Sequence, residues 1–389
     1  MLLTLSFRSP KKVVVLKKTV LHEWHLRSGA RMAEFAGFDM PISYDPVSGG
    51  MKNEHLKVRE SAGMFDVSHM GEFRIHGDGA SKFLNRVCTR PVDSMEPGRA
   101  QYCLLLHEHG GIVDDVIVYR LSDKEFFMVV NAANIQKDFL HLSQQAKGFS
   151  VQLVDESDRW ALIAVQGPTA LEILERRYGS LQSLRYYAFK KHEEAILSHT
   201  GYTGEDGLEI FLPPSKALEL WEWLFSQGVV PIGLGARDTL RLEVCFPLYG
   251  HELSDELHPG ETLAHFAVSA KSDFLGKNAA QGPARWRPIC LLADSPKPMR
   301  AGERIWVRGK EIGALTSGSY SPVLKKGMGV GLILASLDLD PSPDGIICLV
   351  DSGGRQREAR MVLAPFVETS RVKRRVPASA GPSKAAQVQ

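Results

Sequence analysis

The chain has 389 residues, of which 44% are hydrophobic and 24% charged, fractions close to soluble globular averages that exclude a disordered, collagen-like or disulfide-rich miniprotein. Its 47 basic and 45 acidic residues leave a net charge of +2, which is no footprint for nucleic acid or a membrane surface. At about 100–200 residues per domain, two or three domains are expected.

The five cysteines (Cys88, Cys103, Cys245, Cys290 and Cys348) are scattered and contain no C-x-x-C. That fits a reduced compartment, with neither a zinc cage nor a disulfide framework. No apolar run reaches the roughly 18 residues that a membrane helix needs.

The first 20 residues carry two Lys-Lys pairs and no acid, one mark of a mitochondrial transit peptide. The stretch is short, has only two Ser, and its Val-Val-Val run forms helix poorly. Residues 1–20 are therefore expected to be an N-terminal extension, in a cytoplasmic protein, with the mitochondrial matrix as the alternative.

Strand and helix patterns then alternate, which predicts an α+β fold. GEFRIHG (71–77) reads as a half-buried strand, and GASKFLNRVCT (79–89) as a helix with Phe83, Leu84 and Val87 on one face. QYCLLL and IVDDVIVYRL flank HEHGG and predict a hairpin. FFMVVNA is a strand, and NIQKDFLHLSQQAK is an amphipathic helix stopped by Gly148. The stretch 159–178 is a strand, a Gly-Pro turn and a helix with Pro168 at an early helical position. GLEIFLP is a strand and SKALELWEWLFSQG a helix. From about residue 275 the character changes to strands and tight turns, which predicts a small all-β barrel. GMGVG (327–331) lacks the dinucleotide spacing and reads as a turn between barrel strands. The last 20 residues are polar and aperiodic, a frayed tail.

Three stretches carry candidate chemistry. In GGIVDDVIVYRL, strict alternation puts Asp114 with Ile112, Val116 and Val118, and Asp115 with Val113, Ile117 and Tyr119. The two acids then point apart rather than forming a dyad. A carboxyl in so apolar a run either finds a partner or shifts its proton affinity, as in a ligand pocket; a bulge or wet edge strand is the other reading. In SHTGYTGEDGLEIFLP, Glu209 shares a face with Phe211. It suits a heterocycle with adjacent N–H donors, or a solvated sheet face. In GARDTLRLEVCFPLYGHE, Arg237 and Arg241 share one face of a helix that Pro247 terminates. They suit a bound carboxylate, or Arg241 pairs with a nearby acid.

Ten stretches in one order resemble the aminomethyltransferase, or T-protein, family of the glycine cleavage system. They are HLRSGARMAEFAGFDMPI, GMFDVSHMGE, GGIVDDVIVY, VVNAAN, VQGP, GYTGEDGLEI, GARDTLRLE, LYGHEL, FLGK and TSGSYSP. The resemblance spans about Leu21 to Val367. It implies three domains around a central hole: two intertwined α+β domains over 21–275, a β-barrel over 285–370, and a disordered tail over 371–389. It also implies transfer of a methylene carbon from the aminomethyl-lipoyl arm of H-protein to tetrahydrofolate, with release of ammonia. Carried over by motif, Asp115 is the catalytic acid, Glu209 reads the pterin and Arg237 contacts the folate. Met70, Tyr102, Ile117, Asn131 and Tyr202 line the folate pocket. The implied partner is the lipoylated H-protein, with no nucleic acid, no membrane and a monomeric state. The chain departs from the family at Phe266, where a Trp is usual, and at Arg371, where an aromatic is usual. These departures keep open a related tetrahydrofolate-dependent demethylase acting on another amine or methyl donor. A non-catalytic folate-binding branch is disfavoured, because Lys277 is not followed by Cys.

Overall fold

The structure is a computed structural model that describes residues 15–270, 272–339 and 346–370. The first half runs α1 (His22–Arg27), β1 (Arg31–Phe35), β2 (Phe38–Ser43), α2 (Asp45–Ser48), α3 (Met51–Glu60), β3 (Gly63–Asp66), β4 (Gly71–His76), α4 (Ala80–Val87), β5 (Arg99–Leu106), β6 (Ile112–Arg120), β7 (Glu125–Val130), α5 (Ile135–Gln145) and β8 (Gln152–Asp155). There follow β9 (Ala161–Gln166), α6 (Ala170–Tyr178), β10 (Phe189–His192), β11 (Ala195–Ser198), β12 (Gly207–Leu212), α7 (Pro214–Ser226), β13 (Val230–Pro231), α8 (Leu234–Glu243) and α9 (Lys277–Ala280). The last part is β14 (Trp286–Ala293), β15 (Arg304–Val307), β16 (Lys310–Ser321), β17 (Lys326–Leu334), β18 (Ile347–Ser352) and β19 (Arg355–Val362).

Two sheets stand face to face. One has five strands in the order β5-β6-β7-β4-β8, all from one continuous stretch. The other has the order β10-β11-β12-β9-β3-β13 and takes β3 from before that stretch and the rest from after it. Phe65, Val67, Ala164 and Phe211 of the six-stranded side meet Tyr119, Phe127 and Val129 of the five-stranded side in a shared core. The outer face of the five-stranded sheet is covered by Phe83, Leu84 and Val87 of α4 and Leu142 of α5. The outer face of the six-stranded sheet is covered by α1, α6 and α7. On α7, Ala217, Leu220, Trp221 and Leu224 are buried, the spacing of a single helical stripe.

The third unit is a closed barrel, β14-β17-β16-β15-β18-β19. The expected turn at GMGVG is corrected here: Gly327, Gly329 and Gly331 lie inside β17. A Cβ on Gly327 would stand 2.2 Å from the Lys297 carbonyl oxygen, and one on Gly331 2.7 Å from that of Ala314. These glycines serve close backbone approach within a small barrel rather than a reversal.

Four other expectations shift. The alternation in β6 is broken by a bulge, because Leu105 pairs with Asp114 and Leu106 with Ile112. Val113 is the extra residue and packs with Val116 and Val118 instead of sharing the Asp115 face, as a one-residue slip requires. Helix α8 ends at Glu243, before Pro247, and Cys245 adopts a φ of 57°. Pro168 precedes α6 instead of lying in its first turn. The expected extension is too long: Lys17 bridges to Phe38, and the Thr19 hydroxyl donates to Asp66 at 2.6 Å. Residues 1–14 and the tail 371–389, with Arg371, lie outside the described residues.

Asp66 anchors the chain's entry. Besides Thr19 it faces His25 Nε2 at 2.9 Å and accepts the Ser68 backbone N–H at 3.0 Å. Burial alone would raise its proton affinity, but His25, Thr19 and Ser68 outweigh that and bring the carboxyl down to about 2. A carboxyl depressed on folding contributes stability above its unfolded value of about 4, and that stability disappears as pH falls towards 2. Asp66→Asn should therefore lower unfolding free energy by about 2 kcal/mol at pH 7. Denaturant titrations at stepped pH should find the gap to wild type closing between about pH 4 and pH 2.

Candidate functional site

The two sheets, α8 and the barrel side enclose one cavity of about 1250 Å³. Met70, Tyr102, Asp115, Ile117, Asn131, Tyr202, Glu209 and Arg237 all line it. They come from β5, β6, β12, α8 and the connecting loops, so the topology joins positions up to 167 residues apart, from Met70 to Arg237.

Asp115 faces the cavity from β6. The Tyr102 hydroxyl donates to its Oδ2 at 3.1 Å and Asn131 Nδ2 to its Oδ1 at 2.8 Å. Burial, then the charge of Asp114, push the Asp115 carboxyl up to about 7, against the pull of these two donors. Its proton is thus exchangeable at neutral pH, which suits an acid that must both hold and accept one. Tyr102 is itself raised by burial and then by Asp115, so it stays a donor.

Glu209 is buried on β12, an interior strand, and not on a wet face. The solvated alternative fails because the second sheet covers this side. Among the described residues only Thr200 bonds its carboxylate, through the hydroxyl and at one oxygen. The other oxygen has no hydrogen-bond donor among the described residues. Arg237 lies with its guanidinium 4.8 Å from the Tyr202 ring centroid. It has no ion-pair partner among the described residues. Arg241 also lines the cavity, but its guanidinium is taken up by other groups. It bonds Asp238 at 2.8 Å, Glu252 at 2.8 Å and Ser317 of the barrel at 2.7 Å, so its role is structural.

Several cavity residues were not foreseen. His69 is buried, and burial followed by the Arg237 charge brings its imidazole down to about 4, leaving it neutral. Phe35 and Ala36 reach the cavity from the β1–β2 hairpin, Tyr249 from the loop after α8, and Ala364 and Pro365 from the exit of the barrel. Phe266, the departure from the usual Trp, is 63% exposed at the rim and stacks on Tyr102 at 5.8 Å. All five cysteines are free and buried, with Cys245 Sγ 3.5 Å from Cys290 Sγ. Among the described residues no helix is long and apolar enough to cross a membrane.

Family models place this arrangement. Residues 21–272 match the GCVT N-terminal domain and residues 287–368 the glycine cleavage T-protein C-terminal barrel domain. The chain belongs to the glycine cleavage T-protein family. It is 48% identical over 360 residues to an aminomethyltransferase from Deinococcus deserti, covering 90% of this chain and 97% of that one. It is 45% identical over 328 residues to an aminomethyltransferase from Thermus thermophilus, covering 82% and 91%. The crystal structure of glycine cleavage system aminomethyltransferase T from Bartonella henselae superposes with a TM-score of 0.85 at 32% identity, covering 91% of this chain and 99% of that one. This family member is an aminomethyltransferase, a one-carbon transferase.

Tyr102 holds the Asp115 carboxylate through one hydroxyl. Tyr102→Phe should move the Asp115 titration midpoint above about 7, because a donor to the charged form is lost. Carbon-13 NMR of aspartate-labelled, ligand-free protein measures that midpoint directly.

Proposed function

We propose that this cavity moves the methylene carbon of the aminomethyl-lipoyl arm of H-protein to tetrahydrofolate, with release of ammonia. The observation that carries the reading is the meeting of Asp115, Glu209 and Arg237 in a single cavity with the five other family-matched positions. The residues fit the folate: Glu209 offers a free carboxylate oxygen to adjacent pterin N–H donors. Arg237, without an ion partner, is a cation for the anionic end of the ligand. Tetrahydrofolate supplies the two nitrogens that take the carbon.

The balance of the reaction assigns work to Asp115. The carbon–nitrogen bond to ammonia and the carbon–sulfur bond break, and two new carbon–nitrogen bonds form. Two N–H protons must leave, one ending on sulfur and one on ammonia. As ammonia departs the methylene carbon becomes cationic, and a carboxylate held at that point, away from water, stabilises it. The same carboxyl, titrating near neutrality, takes and returns a proton as the bonds change. Tyr102 and Asn131 fix its orientation.

Ammonia release and methylenetetrahydrofolate formation, measured with aminomethylated lipoyl H-protein with and without tetrahydrofolate, test the reading. Folate-dependent turnover is expected. Tight folate binding without turnover would transfer the function to another amine or methyl donor, a demethylase, for which the rim residue Phe266 would be the first position to exchange. Asp115→Asn should cut turnover by about 10²–10³-fold, the cost of removing one stabilising group from a transition state, while folate still binds. Glu209→Gln should instead weaken folate binding by roughly 10–100-fold, as for a lost charge-assisted hydrogen bond. Equilibrium fluorescence titration separates the two effects.

A further inference from the structure

Behind Asp115 lies a second carboxyl system that the transfer chemistry does not use. Asp114 is 0% exposed and accepts three N–H bonds: from the Asn131 backbone at 3.0 Å, Asn131 Nδ2 at 2.9 Å and Asn134 Nδ2 at 2.7 Å. Asn131 therefore divides its amide between neighbours. One Nδ2 hydrogen serves Asp114 Oδ1, and the other serves Asp115 Oδ1 at 2.8 Å. Asp114 and Asp115 stand on consecutive ladder pairs, opposite Leu105 and Leu104, and the Asn131 amide at the end of the neighbouring strand reaches both carboxylates.

Asp138 completes the group from the first turn of α5. It too is 0% exposed, and neither carboxyl oxygen has a donor among the described residues. Two carboxylates cannot bond one another, but a protonated one can donate to its neighbour. Burial first, and then Asp114, hold the Asp138 proton up to about 11. Asp138 thus keeps its proton at neutral pH, and Asp114, already the acceptor of three N–H bonds, is the acceptor beside it.

We propose that Asp114 is a positioning residue whose buried charge, kept single by the proton that Asp138 lends it, decides when Asp115 gives up and takes back its own proton. The proposal rests on Asp115 as the reacting carboxyl. The other groups that face this corner are Tyr102 from β5, Tyr202 from the loop between β11 and β12, Lys137 beside Asp138 on α5, and Tyr249 from the loop after α8. The Asp114 charge raises Asp115 by more than either the Tyr102 or the Asn131 donor singly lowers it. Its removal therefore lowers the midpoint even if Asn131 loosens.

The test is the carbon-13 titration of aspartate-labelled, ligand-free protein, with the Asp115 signal identified by its loss in Asp115→Asn. Asp114→Asn should drop the Asp115 midpoint by about one pH unit or more. Asp138→Ala leaves the Asp114 charge without its donor and should shift the midpoint upward. Asp138→Asn, whose amide donates in place of the acid proton, should bring it back. The acidic limb of the turnover–pH profile should follow the same order. An unmoved midpoint in Asp114→Asn, or a downward shift in Asp138→Ala, overturns the proposal. Wild-type turnover in Asp115→Asn would instead sink the catalytic assignment on which it stands.

Discussion

One buried charge cluster sets how the units meet. Glu243, the last residue of α8, accepts Arg59 Nε of α3 at 2.9 Å and the Ser321 hydroxyl of the barrel at 2.5 Å. His55 Nε2 stands 2.9 Å from the same carboxylate, and the Glu243 carbonyl accepts the backbone of Phe366 and Val367. Arg59 continues the cluster to Glu205 at 2.9 Å and the Thr203 carbonyl at 2.7 Å. Glu243, through its carboxylate and its main-chain carbonyl, and Arg59 together tie two helices, the barrel and the chain after it to the loop that carries Tyr202. Buried ions of this kind add little net stability over apolar packing, but removing one partner strands the others at a cost of about 3–5 kcal/mol. What the cluster supplies is a fixed relation between the cavity's walls.

That fixed relation matters because charged groups lining the cavity act on one another's proton affinities. Asp115 is crowded by the charge of Asp114. His69 is held neutral beside Arg237. Small changes in separation would redistribute these effects, since the interaction between charges in a partly buried site changes by kcal/mol over a few ångströms.

Much of this was readable from residue order. The helices that cover the two sheets follow their period-3.6 patterns, and the eight cavity-lining positions lie in the short stretches that carry the family resemblance. The misses have physical causes. A bulge adds one residue without altering composition, so Val113 was placed on the wrong face. Glycine both turns and permits close approach, so the residue order of GMGVG does not distinguish a turn from the barrel strand it fills. For Glu209 the strand alone cannot distinguish a wet face from a pocket, because it does not reveal whether a second sheet covers it. Asp138 looked like an ordinary first-turn acid of an amphipathic helix; only the fold brings it against Asp114.

The insertion of the five-stranded sheet into the six-stranded one carries a consequence for assembly. Strand β3 ends at residue 66, but its antiparallel partner β9 begins at 161 and its parallel partner β13 at 230. During synthesis β3 must wait for the whole intervening unit, and the loop it closes is long and costly in chain entropy. Such non-local pairing slows folding. The strand that bears Glu209 is joined to β3 only through β9, so the two sides of the cavity mature together. A ribosome-bound nascent chain released before residue 230 would carry Asp115 on a finished sheet facing an unfinished one.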